Sequence, residues 1–175
     1  DSKAIGVEVN YNQKISNFYS KEIIISAGAI GSPHLLMLSG VGPEQHLKEI
    51  GIPLLHNLPG VGKNLRDHPQ VSLSWKTNDT YKHDQQRLKR DITVGLRYTA
   101  TGSNLNNDIL IHHTATIFES IYFGAHSEDK YSGIGMIACL YLALGSGELK
   151  LRAPNPFIQP LLNYNYFQKE EDLRR

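Results

Sequence analysis

The sequence is poor in cysteine, tryptophan and methionine, with one, one and two copies in 175 residues. A single cysteine excludes a disulfide framework within the chain, and Cys139 lies in the apolar run IACLYLALG, where a small buried side chain is predicted. No apolar run approaches the roughly 18 residues of a membrane span, so no transmembrane segment is predicted. The sequence also lacks an excess of charge of one sign. Its 18 Lys+Arg are scattered along the chain and are balanced by 17 Asp+Glu, for a net charge of +1. Neither nucleic acid nor an anionic membrane is therefore indicated as a partner.

Several patterns that mark particular chemistry are missing as well. The eight histidines and one cysteine show no metal-ligand spacing, so no metal site is predicted, and no G-x-S-x-G run indicates a serine hydrolase. Three GxG runs, in GVGPEQ, GVGKNL and GSGELK, lack the third glycine of a dinucleotide loop and are predicted to be turns. His112 and His113 are adjacent, so on a strand they face opposite sides and cannot share one small site.

The first part of the chain contains two segments that are predicted to be strands. AIGVEV (4–9) and EIIIS (22–26) are rich in β-branched residues and flank a polar connection. Ile23, Ile24 and Ile25 follow one another without polar alternation, which is typical of a strand covered on both faces, as in an α/β sheet.

Serine, proline and glycine then mark two short helices. Ser32 is predicted as the N-cap and Pro33 as the first residue of a helix in SPHLLMLSG, which Gly40 ends. Pro43 opens a second predicted helix, which ends at Gly51. The density of glycine in this stretch indicates that the backbone comes close to another element or to a ligand, and residue spacing alone leaves both open.

The second part of the chain has a different character. A turn-rich segment at 57–69 divides the chain, and a strand with alternating apolar and polar residues is predicted at 70–75. A helix is predicted at about 86–99, where leucine or isoleucine recurs every four residues. Three further segments are predicted strands: NDILIHHTATIF, SGIGMIACLYLALG and GSGELKLRAP. The predicted fold class is α/β at the start and α+β overall, with a mainly antiparallel second part.

The glycine-rich stretch resembles one of two signature patterns of the glucose-methanol-choline (GMC) flavin oxidoreductases. That pattern needs two small residues, Ser or Thr before Pro, an aliphatic pair and a Ser-Gly-aliphatic-Gly ending. The sequence supplies these at Gly28, Ala29, Ser32, Pro33, Leu35, Leu36, Ser39, Gly40, Val41 and Gly42. The flanking runs EIIISAGA and GIPLLHNLPGVGKNLRDHP are also similar to the family. The resemblance is strong over 1–69, moderate over 143–175 and loose between them.

The resemblance implies FAD-dependent oxidation of a small-molecule alcohol, in which a hydride passes to the flavin while a base takes the hydroxyl proton. It also implies that 1–69 is the C-terminal part of a Rossmann-like FAD-binding domain and that 70–175 is part of a β-rich substrate domain. The family's GxGxxG loop is expected before Asp1 and its catalytic histidine after Arg175. We therefore expect a central fragment that is inactive alone and carries no catalytic residue of its own.

The resemblance also implies cofactor-binding residues in two runs of the sequence. They are Ala27, Gly28, Ser32, Asn64, Asp67 and His68. For Asp67 and His68 an alternative is open, in which they stabilise an irregular connection through hydrogen bonds to backbone groups. For Ala27 and Gly28 the alternative is packing against another element.

Two other functions are compatible with the sequence. The chain could be a free-standing, non-catalytic binding domain on the same framework, or 70–175 could be a carbohydrate-binding module. The identity of the alcohol, the electron acceptor and the cellular location are not indicated by the sequence.

Overall fold

The computed structural model describes residues 3–76, 94–114 and 133–175. It is a mixed α/β structure with mainly antiparallel sheets, as predicted. Its helices are α1 (Gly28–Leu38), α2 (Glu44–Ile50) and α3 (Glu170–Arg174). Its strands are β1 (Gly6–Tyr11), β2 (Lys14–Tyr19), β3 (Val41–Gly42), β4 (His56–Asn57), β5 (Lys63–Leu65), β6 (Gln70–Lys76), β7 (Gly95–Tyr98), β8 (Ile109–Thr114), β9 (Gly133–Leu140), β10 (Gly147–Lys150) and β11 (Leu161–Asn163).

The chain forms two compact units, each of which contains two separate stretches of sequence. The first unit comprises Asp1–Leu65 and Ser146–Asn165, and the second comprises Arg66–Gly145 and Tyr166–Arg175. This division differs from the predicted contiguous segments 1–69 and 70–175, because β10 pairs with β5 in the first unit and β11 pairs with β10. The roles expected of the two parts remain predictions.

The first unit contains a hairpin, two helices and a small sheet. β1 and β2 pair antiparallel around Asn12 and Gln13, which both take positive φ, as a tight hairpin turn requires. β11, β10 and β5 form an antiparallel sheet in that order. The core of the unit brings α1 and α2 against β10 through Met37, Leu47, Ile52, Leu149 and Leu151.

The predicted strand at 22–26 is wrong for this structure. Ile23, Ile24 and Ile25 lie outside every strand of the described residues, and the Ile24 side chain is 81% exposed. A strand is defined by its hydrogen bonds to a neighbouring strand. An apolar run in the sequence indicates burial but does not show that a partner strand is present. The preceding strand prediction, at 4–9, is confirmed by β1.

Both helices predicted in the first unit are present, but α1 begins earlier than expected. It starts at Gly28, so Ser32 and Pro33 lie inside it and not at its N-terminus. Ser32 nevertheless serves the helix start, since its Oγ accepts a hydrogen bond of 3.1 Å from the N–H of Ala27. Gly40 follows the helix with a φ of +81°, and Gly51 closes α2 with a φ of +80°, as helix-ending glycines do.

The second unit contains a four-stranded antiparallel sheet in the order β6-β9-β8-β7. This sheet confirms the strands predicted at 70–75, in NDILIHHTATIF and in SGIGMIACLYLALG. The helix predicted at about 86–99 is wrong at 95–98, where β7 forms, and its first part lies outside the described residues. Val94, Leu96 and Tyr98 alternate with Gly95 and Arg97, and this period of two prevails where β8 offers a partner strand.

In the parts of the chain that the structure describes, no helix has the length and apolar character to cross a membrane.

Candidate functional site

The start of α1 exposes small residues and open backbone. Ala27 and Gly28 are exposed, and the N-cap residue Ala27 has no side-chain hydrogen bond to the helix. Gly28 has a φ of +81°, a conformation that L side chains rarely adopt, and a Cβ built on it would meet no atom within 4 Å. Backbone conformation therefore explains why this residue is a glycine, and the space around it is open to a ligand.

Asn64 lies apart from these residues in sequence, on β5 of the first unit. Its φ of +58° is left-handed, a conformation that asparagine tolerates better than most residues. The other two predicted site residues, Asp67 and His68, belong to the second unit. The prediction that all six contact FAD remains a prediction.

Asp67 and His68 form the core of a small polar and aromatic arrangement. Asp67 accepts hydrogen bonds from the backbone N–H of His68, at 2.8 Å, and from the hydroxyl of Tyr166, at 3.1 Å. The His68 ring stacks on Tyr141 with centroids 4.3 Å apart, and the guanidinium of Arg97 lies 4.0 Å from the centroid of the same Tyr141 ring. The hydrogen bond from the His68 N–H to Asp67 is of the kind expected if these residues stabilise an irregular connection, which is the alternative to cofactor contact.

Two cavities of the second unit border this arrangement. The larger, of about 570 Å³, is lined by Asp67, His68, Gln70, His112 and Tyr166 together with several neighbours. The smaller, of about 440 Å³, is lined mostly by apolar side chains. Both volumes lie in the range of small-molecule sites.

A buried charge cluster lies beside the smaller cavity. The guanidinium of Arg175 is completely buried and binds Asp108 and Asp172, each at 2.7 Å. Burial alone raises the pKa of Asp108, but hydrogen bonds from Ser103, from the N–H of Ala100 and from Arg175 outweigh it and lower that pKa to about 2.

Asp172 connects the same cluster to the cavity wall. Its carboxylate accepts bonds from the N–H groups of Leu144, at 2.8 Å, and Gly145, at 2.7 Å. Burial raises the pKa of Asp172, and these two N–H groups and Arg175 lower it further than burial raises it. Arg175 also donates to the carbonyl of Leu142 at 3.0 Å, so the cluster fixes the backbone of this wall.

In the first unit, His46 accepts a hydrogen bond of 2.9 Å at its Nε2 from the N–H of Leu151. This contact requires a neutral imidazole with its proton on Nδ1. Burial and the nearby Lys150 both lower the pKa of His46.

Other sequence predictions can be located within the described residues. Cys139 is buried as predicted, and burial raises the pKa of its thiol. His112 and His113 are successive residues of β8 and so face opposite sides of the sheet; His112 lines the larger cavity. Among the residues that the structure describes, no three side chains form a possible metal site.

Sequence reasoning missed the partners of these groups. Arg97, Tyr141, Tyr166 and the Arg175 cluster are far from Asp67 in the sequence, and no local spacing connects them. The residues that precede Arg175 give no local signal that its guanidinium is buried.

The chain was compared with known proteins. The family model described as GMC oxidoreductase matches residues 1–70. Mitochondrial choline dehydrogenase of Homo sapiens is 32% identical over 98% of this chain and 32% of its own length. The alcohol dehydrogenase [acceptor] of Pseudomonas putida is 31% identical over 99% of this chain and 35% of its own length. The chain therefore spans about a third of the length of these curated relatives.

Solved structures share the fold. A crystal structure of formate oxidase superposes with a TM-score of 0.84 and 21% identity, over 99% of this chain and 38% of that chain. Another formate oxidase structure, from Aspergillus oryzae, concerns modification of its FAD. With the signature residues on α1 and directly after it, and with relatives that align along nearly the whole chain, the chain belongs to the GMC oxidoreductase family.

Proposed function

We propose that this chain is part of an FAD-dependent oxidoreductase that acts on the CH–OH group of a small-molecule alcohol. The observation that carries the proposal is its alignment, over nearly its whole length, with proteins named choline dehydrogenase and alcohol dehydrogenase [acceptor]. Both names denote the oxidation of an alcohol. The proposed donor class follows from those names.

The residues at the start of α1 fit a flavin cofactor. Ala27 and Gly28 are small and exposed, and the open space at the Cβ position of Gly28 would let a ligand reach the backbone. Ser32 keeps a hydroxyl proton to donate, because its oxygen accepts the Ala27 N–H. These three residues would hold part of the cofactor.

We also propose cofactor contacts for Asn64 of the first unit and, separately, for Asp67 and His68 of the second unit. Asp67 accepts bonds from Tyr166 and from the His68 backbone, so its carboxylate is oriented before any ligand arrives. The stacking of His68 on Tyr141 orients the imidazole in the same way. FAD, when bound, supplies the acceptor for the hydride of the alcohol.

The proposal is tested on the gene and on its longer product. We expect codons upstream for a strand followed by GxGxxG and codons downstream for the family's catalytic histidine. The expressed long protein should be yellow, and an alcohol should bleach its flavin absorbance without oxygen. A long product that binds no flavin would contradict the proposal.

A second measurement tests the expected inactivity of this chain alone. Purified residues 1–175 should be colourless and should reduce no electron acceptor with any alcohol. A yellow preparation of the 175-residue chain with turnover would show that it contains the whole catalytic machinery.

The alternative function is a free-standing, non-catalytic binding domain on the same framework. In-frame stop codons on both sides of the chain, with a stable colourless product in cells, would favour it over the oxidoreductase.

A further inference from the structure

Two adjoining cavities of the second unit have different chemistry. Asp67, His68 and Tyr141 line both, so the cavities meet at the stacked rings of His68 and Tyr141. One cavity measures about 570 Å³ and the other about 440 Å³. Each by itself is large enough for part of a small molecule.

The larger cavity, here called the polar cavity, contains groups that form hydrogen bonds. The Asp67 carboxylate, the Gln70 amide and the Tyr166 hydroxyl lie in its wall together with the imidazole of His112. Nδ1 of His112 is buried and has no hydrogen-bond partner among the described residues. A buried nitrogen without a partner is costly, and a ligand that supplies one removes this cost.

A hydroxyl group can form a hydrogen bond with His112 in either tautomer of the imidazole. Neutral imidazole carries its proton on either nitrogen, and a hydroxyl both donates and accepts, so it can pair with either tautomer. Nδ1 of His112 is buried in the structure, so a ligand hydroxyl would pair with it only after the ring turns towards the cavity.

The smaller cavity, here called the apolar cavity, is built from aliphatic side chains. Leu105, Leu142, Ala143 and Leu144 line it beyond the shared residues. Its wall is held in place by charge contacts, since Arg66 donates to the carbonyl of Ala143 at 3.0 Å. Asp172 holds the Leu144 N–H in the same way, so the cavity is formed before a ligand enters.

We propose that the two cavities together bind one amphipathic alcohol, with its hydroxyl end in the polar cavity and a hydrocarbon body in the apolar cavity. The His68–Tyr141 stack lies where the two parts of the ligand join. This inference rests on the proposed function in one respect: it names the class of alcohol on which such an enzyme would act.

The test is a titration of the purified 175-residue chain with straight-chain primary alcohols from butanol to octanol, followed by ligand-observed NMR. Each added methylene that enters the apolar cavity should tighten the dissociation constant about fourfold. Octane, which lacks the hydroxyl, and the octane diol with a hydroxyl at each end should both bind more weakly than octanol. Equal affinities for butanol and octanol, or for octanol and the diol, would overturn the proposal.

Variants separate the two ends of the site. Leu144→Asn should weaken octanol binding about fivefold and leave butanol unchanged, because butanol does not reach the apolar wall. His112→Phe should weaken both alcohols about fivefold, because both use the same hydroxyl contact. Leu105→Asn repeats the first test if Leu144→Asn does not fold. The matched control is Leu73→Asn, an exposed leucine that lines neither cavity; an equal effect there would contradict the assignment.

The outcome is separable from that of the proposed function. Graded alcohol binding by the 175-residue chain, with no flavin in its longer product, would contradict the oxidoreductase and leave this binding site intact. A yellow, active long product whose 175-residue segment binds butanol and octanol alike would contradict this site alone.

Discussion

Arg175 carries a guanidinium with no exposed surface, between the carboxylates of Asp108 and Asp172. Such a cluster contributes little net stability compared with apolar packing, but loss of one partner leaves an uncompensated buried charge. Ser103 and the N–H of Ala100 also donate hydrogen bonds to Asp108, and these bonds help to keep its carboxylate charged beside Arg175.

Arg175→Met should therefore lower the free energy of unfolding by about 3–5 kcal/mol, measured by urea denaturation at neutral pH. The matched control is Lys63→Met, which removes a partner of Glu148 at a side chain that is 52% exposed. That change should cost less than about 1 kcal/mol, because water screens an exposed pair. Equal costs for the two variants would contradict the role of burial.

The lowered pKa of Asp108 also predicts how the stability of the fold changes in acid. Its pKa is about 2 in the folded chain and 3.8 ordinarily, so its carboxylate stabilises the fold above pH 3.8. This contribution is lost as the pH falls from 3.8 towards 2, because the unfolded chain binds the proton first. In acid titrations followed by circular dichroism, Asp108→Asn should show a smaller loss of stability over this range than the unchanged chain.

The lowered pKa of His46 predicts a second pH dependence of stability, at higher pH than that of Asp108. Its pKa is lowered from 6.5, so the folded chain holds it neutral while the unfolded chain binds a proton below pH 6.5. Stability from the bond to Leu151 is complete above pH 6.5 and is lost as the pH falls below it. Between pH 8 and pH 5, His46→Gln should lose less stability than the unchanged chain in urea denaturation. Equal losses would exclude His46 as the titrating group.

At the scale of elements, glycines determine how closely segments of the first unit approach. Gly62 has a φ of +81°, and a Cβ there would overlap the carbonyl oxygen of Leu149 on β10. Gly28 has the same φ but open space around it. Substitutions at these two positions therefore distinguish the cost of the left-handed backbone conformation from the cost of close packing.

Gly62→Ala should lower the free energy of unfolding by about 3 kcal/mol or more, because the new methyl group adds a clash to the left-handed conformation. Gly28→Ala should cost only about 1 kcal/mol, from conformation alone. Thermal unfolding of both variants measures the difference. A larger cost at Gly28 would contradict this account.

The ends of a helix depend on more local signals than the pairing of a strand does. Pro43 and Gly51 bound α2 by local signals, and the structure confirms both ends to within one residue. β7 and the segment at 22–26 were predicted wrongly, because a strand depends on a partner elsewhere in the chain. For the same reason Tyr141 and Tyr166 were not foreseen beside His68 and Asp67, since each tyrosine is far from its partner in the sequence.

At the scale of the whole molecule, the two units cannot be separated by one cut in the chain. Leu149 and Leu151 belong to the core with Met37 and Leu47, although the intervening sequence forms most of the second unit. The predicted segment 1–69 lacks both of these leucines and the strand that pairs with β5.

Residues 1–69 expressed alone should therefore show no cooperative unfolding in urea. A chain that joins 1–65 to 146–165 by a short glycine linker should regain it, since Leu65 pairs directly with Gly147. The intact chain is the control. Cooperative unfolding of 1–69 by itself would contradict the discontinuous unit.

The amino-acid sequence by itself determined the family signature over residues 28–42, the glycine ends of both early helices and the apolar patterns of β6, β8 and β9. These features depend on residues a few positions apart, whose conformational preferences act wherever the segment lies. Only the tertiary structure decided the discontinuous units, the buried Arg175 cluster and the two cavities that meet at His68 and Tyr141. Those depend on contacts between residues far apart in the chain, and such contacts exist only when the whole chain has packed.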